Sequence, residues 1–234
     1  MELHPSYQEC RGYIAAHLHH KPEFPVKATE RPPAITISRQ AGARGRTIGL
    51  KLQNELRAMA PKAPIPWTLF DDNLVQQVLE DHQLPADLEK FMPDDAISEL
   101  QSSINELLGR HPSLWTLFEK SVSTITRLSR MGHCIIVGRG GHEITRGFPN
   151  VIRVRLIGSM EQRMRQMTQG HGMSATAAQK YIKEEDAARR RYIKQHFDAD
   201  IDAPTRYDLV INTDHLNDDS IVRLLIASVE QRGQ

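Results

Sequence analysis

The sequence predicts an α/β fold: a three-layer α/β/α arrangement built on a five-stranded parallel sheet. Three observations carry this. From residue 34 onward, short apolar or β-branched runs alternate with segments of helical periodicity. One run, 134–137, is wholly apolar, as in a strand covered on both faces. A glycine-bearing turn joins the first strand to the first helix, where ligands approach parallel sheets.

The elements follow in order. Residues 6–18 place Tyr7, Cys10, Ile14 and Leu18 on one side of a short helix. The stretch 21–33 holds Pro22, Pro25, Pro32 and Pro33 and reads as a linker or extended strap. Strands are expected at 34–38, 67–70, 134–137, 151–157 and 207–212. Helices are expected at 47–59, 73–82, 96–108, 113–128, 175–196 and 218–230. Ser159 with Gln162 three positions later marks one more helix start. Residues 1–33 thus form an extension, and 34–234 the main domain.

Composition narrows the function. The chain has 234 residues, enough for one sizeable core. Lys+Arg is 30 against Asp+Glu 29, so the net charge of +1 gives no bulk attraction to nucleic acid or to an anionic membrane. No apolar run approaches the roughly 18–20 residues of a membrane span. The start lacks the basic-then-apolar order of a signal peptide. Cys10 and Cys134 lie far apart and form no metal-ligand pattern, which fits a reducing, cytoplasmic compartment. His17, His19 and His20 read as an exposed polar patch rather than a metal cluster.

The chemistry is expected at 40–47, Gln40-Ala41-Gly42-Ala43-Arg44-Gly45-Arg46-Thr47. The phosphate-loop pattern is G-x-x-x-x-G-K-[ST] between a strand and a helix. Gly45 and Thr47 match it, Gln40 replaces the first glycine, and Arg46 replaces the lysine. Small residues leave backbone N–H groups open to phosphate oxygens, and the following helix adds its positive end. Arg46 keeps the charge but exchanges a point cation for a planar fork. The plain alternative is a glycine turn capped by a threonine.

Four segments in order resemble the cytidylate kinase-like family, a divergent branch of the phosphate-loop nucleoside monophosphate kinases. They are Ile35-Thr36-Ile37-Ser38-Arg39-Gln40 with Gly42, Gly45 and Arg46; Phe70-Asp71-Asp72 with Leu74; Ile135-Ile136-Val137-Gly138-Arg139-Gly140; and Tyr207-Asp208-Leu209-Val210-Ile211-Asn212-Thr213. The resemblance spans roughly 34–230. It implies a P-loop kinase-type fold with a helical lid, here about 168–204, and ATP with Mg2+ as donor. It places Asp71 at the acceptor nucleotide, Asp72 being left to cap a helix. It gives Arg139 the acceptor phosphate, a role that its small-residue turn also suits. It sets Arg163 against the donor adenine, and Arg189 and Arg191 around the transferring phosphoryl group, with Asp186 beside the acceptor. Thr47 is the expected magnesium ligand. The sequence departs from the family where strand three ends, since Val137 and Gly138 stand where a carboxylate is usual.

The expected function is transfer of the ATP γ-phosphoryl group to CMP, dCMP or a similar acceptor. Two alternatives stay open: a catalytically silent nucleotide-binding sensor or scaffold, and a kinase for a non-nucleotide metabolite. Self-association and the use of residues 1–33 are not fixed by the sequence.

Overall fold

The computed structural model describes residues 31–71, 114–138 and 140–232, together with Glu9, Tyr13 and Ala16. The expected helices at 73–82 and 96–108, Asp72, Cys10, the three N-terminal histidines and Arg139 lie outside the described residues.

Five strands form one parallel sheet: β1 Ala34–Arg39, β2 Thr68–Phe70, β3 Cys134–Val137, β4 Val151–Ile157 and β5 Leu209–Asn212. Their order is β2-β3-β1-β4-β5. β1 is central, with Ile35 beside Ile135 on one flank and Ile152 on the other. The chain builds β3 and β2 on one side of β1, then crosses to build β4 and β5. That reversal opens a crevice at the carboxyl end of β1.

The helices among the described residues are α1 Gly45–Met59, α2 Leu114–Met131, α3 Gly141–Ile144, α4 Met160–His171, α5 Ala175–Phe197 and α6 Asp218–Arg232. Side chains alternate across the sheet. Ile35, Ile37, Leu69, Ile135, Val137 and Val154 join Ile48 and Leu52 of α1 and Ile221 and Leu225 of α6 in one core. Ala34, Phe70, Cys134, Ile136 and Val151 meet Ile125 and Leu128 of α2 and the buried Tyr13 in the other. Tyr13 packs edge-on against Phe70 with ring centroids 5.4 Å apart, and its hydroxyl donates to the Gly132 carbonyl. The residues described before Arg31 therefore include one that completes a core.

Several boundaries moved. β5 begins at Leu209 rather than at 207, because a 3-10 turn, Pro204–Arg206, leads into it and Asp208 is held sideways by Arg153 at 2.9 Å. α2 runs on to Met131, past the expected end at 128. The four-residue α3 was not expected at all. Ser159 caps α4 as predicted, its Oγ accepting from the Gln162 N–H at 3.2 Å. Among the described residues, no helix is long and apolar enough to cross a membrane.

Candidate functional site: the loop after the first strand

Gln40 explains its own presence where the pattern has glycine. Its N–H extends the β1–β4 ladder to the Leu156 carbonyl at 3.0 Å, and its Oε1 accepts from the Gly158 N–H at 3.0 Å. The side chain ties the start of the loop to the β4–α4 turn. Next, Gly42 adopts φ +79° and Arg44 φ +59°, both left-handed. A Cβ on Gly42 would lie 2.8 Å from the Arg163 carbonyl oxygen, so only glycine lets the loop pass this close to α4. Arg44 is the N-cap of α1 but offers no side-chain cap, and the first turn of α1 has no acidic residue. Neither a capping side chain nor a first-turn carboxylate therefore complements the positive end of α1.

The loop arginines divide their work. The Arg44 guanidinium donates to Asp218 at 2.6 Å and to the carbonyls of Thr213 and Leu216 at 2.7 Å each. Its side chain fixes the β5–α6 turn. Arg46 Nε donates to Asp71 Oδ2 at 3.0 Å. The sequence had assigned these two residues to separate partners, donor phosphate and acceptor, and the structure joins them. Asp71 follows β2, and its carboxylate is 7% exposed. Removing one member of so buried a pair takes a charged partner from the other. Arg46→Met is therefore expected to lower stability by about 1–3 kcal/mol, and Arg46→Met/Asp71→Asn to recover most of it. Urea unfolding measures both; a double variant no more stable than Arg46→Met contradicts the pairing.

α5 closes over the loop. Asp186 Oδ1 accepts from the Ala41 N–H at 2.7 Å, and Oδ2 accepts from Arg163 at 2.6 Å. Arg163 also donates to the carbonyls of Gly158 at 3.0 Å and Ala41 at 3.2 Å. The expected adenine-stacking arginine is thus mostly buried and spends its edges on the loop, the β4–α4 turn and α5. Asp186, expected beside the acceptor, fastens α5 to the loop. Ala178 and Ile182 of α5 are fully buried against Ala41 and Met167. These apolar contacts hold the otherwise heavily charged α5 against the loop.

Two cavities flank this contact. One, of about 120 Å³, lies on the loop and includes the exposed Thr47. The other, of about 330 Å³, lies between the ends of β1 and β3 and α5, against Ser38, Gly140, His142 and Tyr192. Arg39 and Arg189 line both. Arg189 also pairs with Glu185 at 2.9 Å. Arg191, expected to act beside it, is exposed and lines neither cavity. At about 100° per residue, a position two further on points some 200° away. Sequence reasoning placed Arg39 at the start of the turn without a role of its own, and did not single out His142. Arg39 was signalled by its place at the end of β1; nothing local marks His142. The His142 ring stacks on Tyr207 at 4.7 Å, and burial, reinforced by Arg155, Arg206 and Arg153, pushes its pKa down to about 3. It is neutral at pH 7.

A third cavity, about 340 Å³, lies between α4 and residues 213–217, beside Gly42 and Arg44. Among the described residues there is no cluster of three His, Cys, Asp or Glu able to hold a metal. Burial raises the Cys134 thiol to about 12, so it is inert at neutral pH.

Residues 34–215 match the profile of the cytidylate kinase-like family. No functionally curated protein matches the chain. Among solved structures, an uncharacterized protein from Eubacterium ventriosum shares the fold with a TM-score of 0.61 at 16% identity, over 85% of this chain and 98% of that one. A shikimate kinase from Bacteroides thetaiotaomicron aligns with a TM-score of 0.44 at 13% identity, over 85% of this chain and 98% of that one. A gluconokinase from Sinorhizobium meliloti aligns at 0.43 and 14%, over 86% and 93%.

Proposed function

The chain belongs to the cytidylate kinase-like family, and from that premise we propose that it is a phosphotransferase moving the γ-phosphoryl group of ATP to a nucleoside monophosphate, CMP or dCMP. The observation that carries this reading is the loop itself. Two left-handed residues and an uncapped helix start present N–H groups at the crevice beside β1, with a second cavity adjoining.

In this reading the N–H groups of 42 and 44–47 hold the donor phosphates, those of Ala41 and Ala43 being bonded to Asp186 and to the Gln40 carbonyl. The donor base enters the cavity between α4 and residues 213–217. A magnesium ion fits the exposed Thr47 hydroxyl, since such ions take one or two protein oxygens and complete their shell from phosphates and water. It would neutralise charge on the phosphate oxygens. The acceptor lies in the cavity beside His142 and Tyr192, with Arg139 proposed for its phosphate. An acceptor phosphate oxygen bonds to the γ-phosphorus, the bond to the bridging oxygen breaks, and ADP leaves with that electron pair. Little covalent help is needed; charge stabilisation and exclusion of water do most of the work. Arg189 supplies charge from α5, while Asp186 and Arg163 keep α5 seated.

A second reading, a silent nucleotide-binding protein, draws on one observation: Arg46, the counterpart of the usual lysine, is bound to Asp71. Incubation with Mg-ATP and a panel of acceptors separates the readings. ADP formed with CMP or dCMP supports the proposal. ADP formed only with a non-nucleotide small metabolite moves the acceptor class. Tight nucleotide binding without ADP under any acceptor supports the silent reading.

A further inference from the structure

We propose that Arg39, the last residue of β1, is the cation of this phosphate loop, contacting the β- and γ-phosphoryl oxygens of the donor; this rests on the phosphotransferase reading. The position that normally carries the loop cation holds Arg46, and its Nε is turned to Asp71 at 3.0 Å. Arg39 reaches over the loop instead. A Cβ on Gly45 would meet Arg39 Cγ at 2.9 Å, Cβ at 3.1 Å and Cδ at 3.4 Å. The Arg39 stem therefore fills the space that a side chain on the first residue of α1 would take.

Its position also fits transfer rather than binding alone. Arg39 lines the loop cavity and the larger cavity beside β3, and Arg189 lines the same two. One arginine comes from a central strand and the other from α5, so a phosphoryl group passing between the cavities crosses both. A guanidinium suits that place, with five donors in a fixed fork for oxygens of donor and acceptor together. Anchoring it on β1 removes much of the freedom that a loop side chain would have to lose. The same geometry accounts for Gly45: a larger residue there would displace the stem of Arg39.

The test is calorimetric titration of the full chain with MgADP and, separately, with adenosine, alongside thermal unfolding. Arg39→Met is expected to weaken MgADP binding by about 10- to 100-fold, the usual worth of a charge-assisted bond, and to leave adenosine binding unchanged. Arg39→Lys should restore part of the loss. Gly45→Ser keeps Arg39 but crowds its stem, and should weaken MgADP in the same direction. Arg39→Met binding MgADP as tightly as the wild type, with the wild type turning over an acceptor, overturns the inference and leaves the kinase reading standing. Wild-type protein that binds no MgADP overturns both. Equal losses for MgADP and adenosine show a general collapse of the site and also overturn it.

Discussion

Gly42→Val is expected to abolish measurable nucleotide binding and to destabilise the fold by roughly 2–4 kcal/mol. Gly42 has φ +79°, a region costly for any residue with a Cβ and worst for a branched one. The space is also closed. An added Cβ meets the Arg163 carbonyl oxygen at 2.8 Å, its Cβ at 3.0 Å and its Cα at 3.1 Å. Two of these three atoms are backbone and cannot swing aside. Relief requires the loop to lift off α4, which breaks the bond from Arg163 to the Ala41 carbonyl and turns the N–H groups of the loop from their common focus. Gly147→Ala is the control, because a Cβ there meets nothing within 4 Å. Chemical unfolding and MgADP titration check both variants. A Gly42→Val protein with wild-type midpoint and affinity contradicts this account of the loop.

The second large effect is expected from Arg163→Met. The Arg163 side chain is 8% exposed and that of Asp186 16%. Removing the arginine takes a charged donor from one oxygen of a mostly buried carboxylate and from two carbonyls, at a cost of roughly 2–4 kcal/mol, while Asp186 Oδ1 keeps the Ala41 N–H and Arg189 at 3.8 Å. Asp186→Asn should cost less, because the amide oxygen still accepts from Ala41 and the arginine keeps its two carbonyls. In the double variant the losses should not add, since the two residues share one network. α5 should loosen from the loop in Arg163→Met, seen as faster hydrogen exchange in 178–190 than a uniform loss of stability explains. Strictly additive losses, with exchange unchanged in that segment, contradict the role of this pair in seating α5.

Much of the scaffold was legible because the sheet is buried on both faces. β3 and β4 came out to the residue, as Cys134–Val137 and Val151–Ile157: the first is a wholly apolar run, and the second an apolar, mostly β-branched run interrupted only by Arg153 and Arg155. β5 was read too long because Tyr207 looks like strand, yet its hydroxyl donates to the Ile201 carbonyl at 2.8 Å and its ring stacks on His142. The loop was legible from its glycines and flanking elements. Its partners were not. Asp71 is 25 residues from Arg46 and Asp186 is 145 from Ala41, so both contacts exist only once the parallel sheet and α5 are assembled. Helical spacing could have separated Arg189 from Arg191, because the two cannot share one face. Gln40 looked like a defect in the pattern until its side chain was seen holding Gly158.

The central claim is that donor phosphates sit on residues 39–47. Residue-resolved hydrogen exchange, with magnesium and a non-hydrolysable ATP analogue added to the full chain, tests it most directly. The account expects protection to rise first and most strongly at the amides of 42 and 44–47, since those of Ala41 and Ala43 are already bonded, then in α5 around Asp186 and Arg189. Analogue binding that leaves 41–47 unchanged while protecting another part of the surface would contradict it.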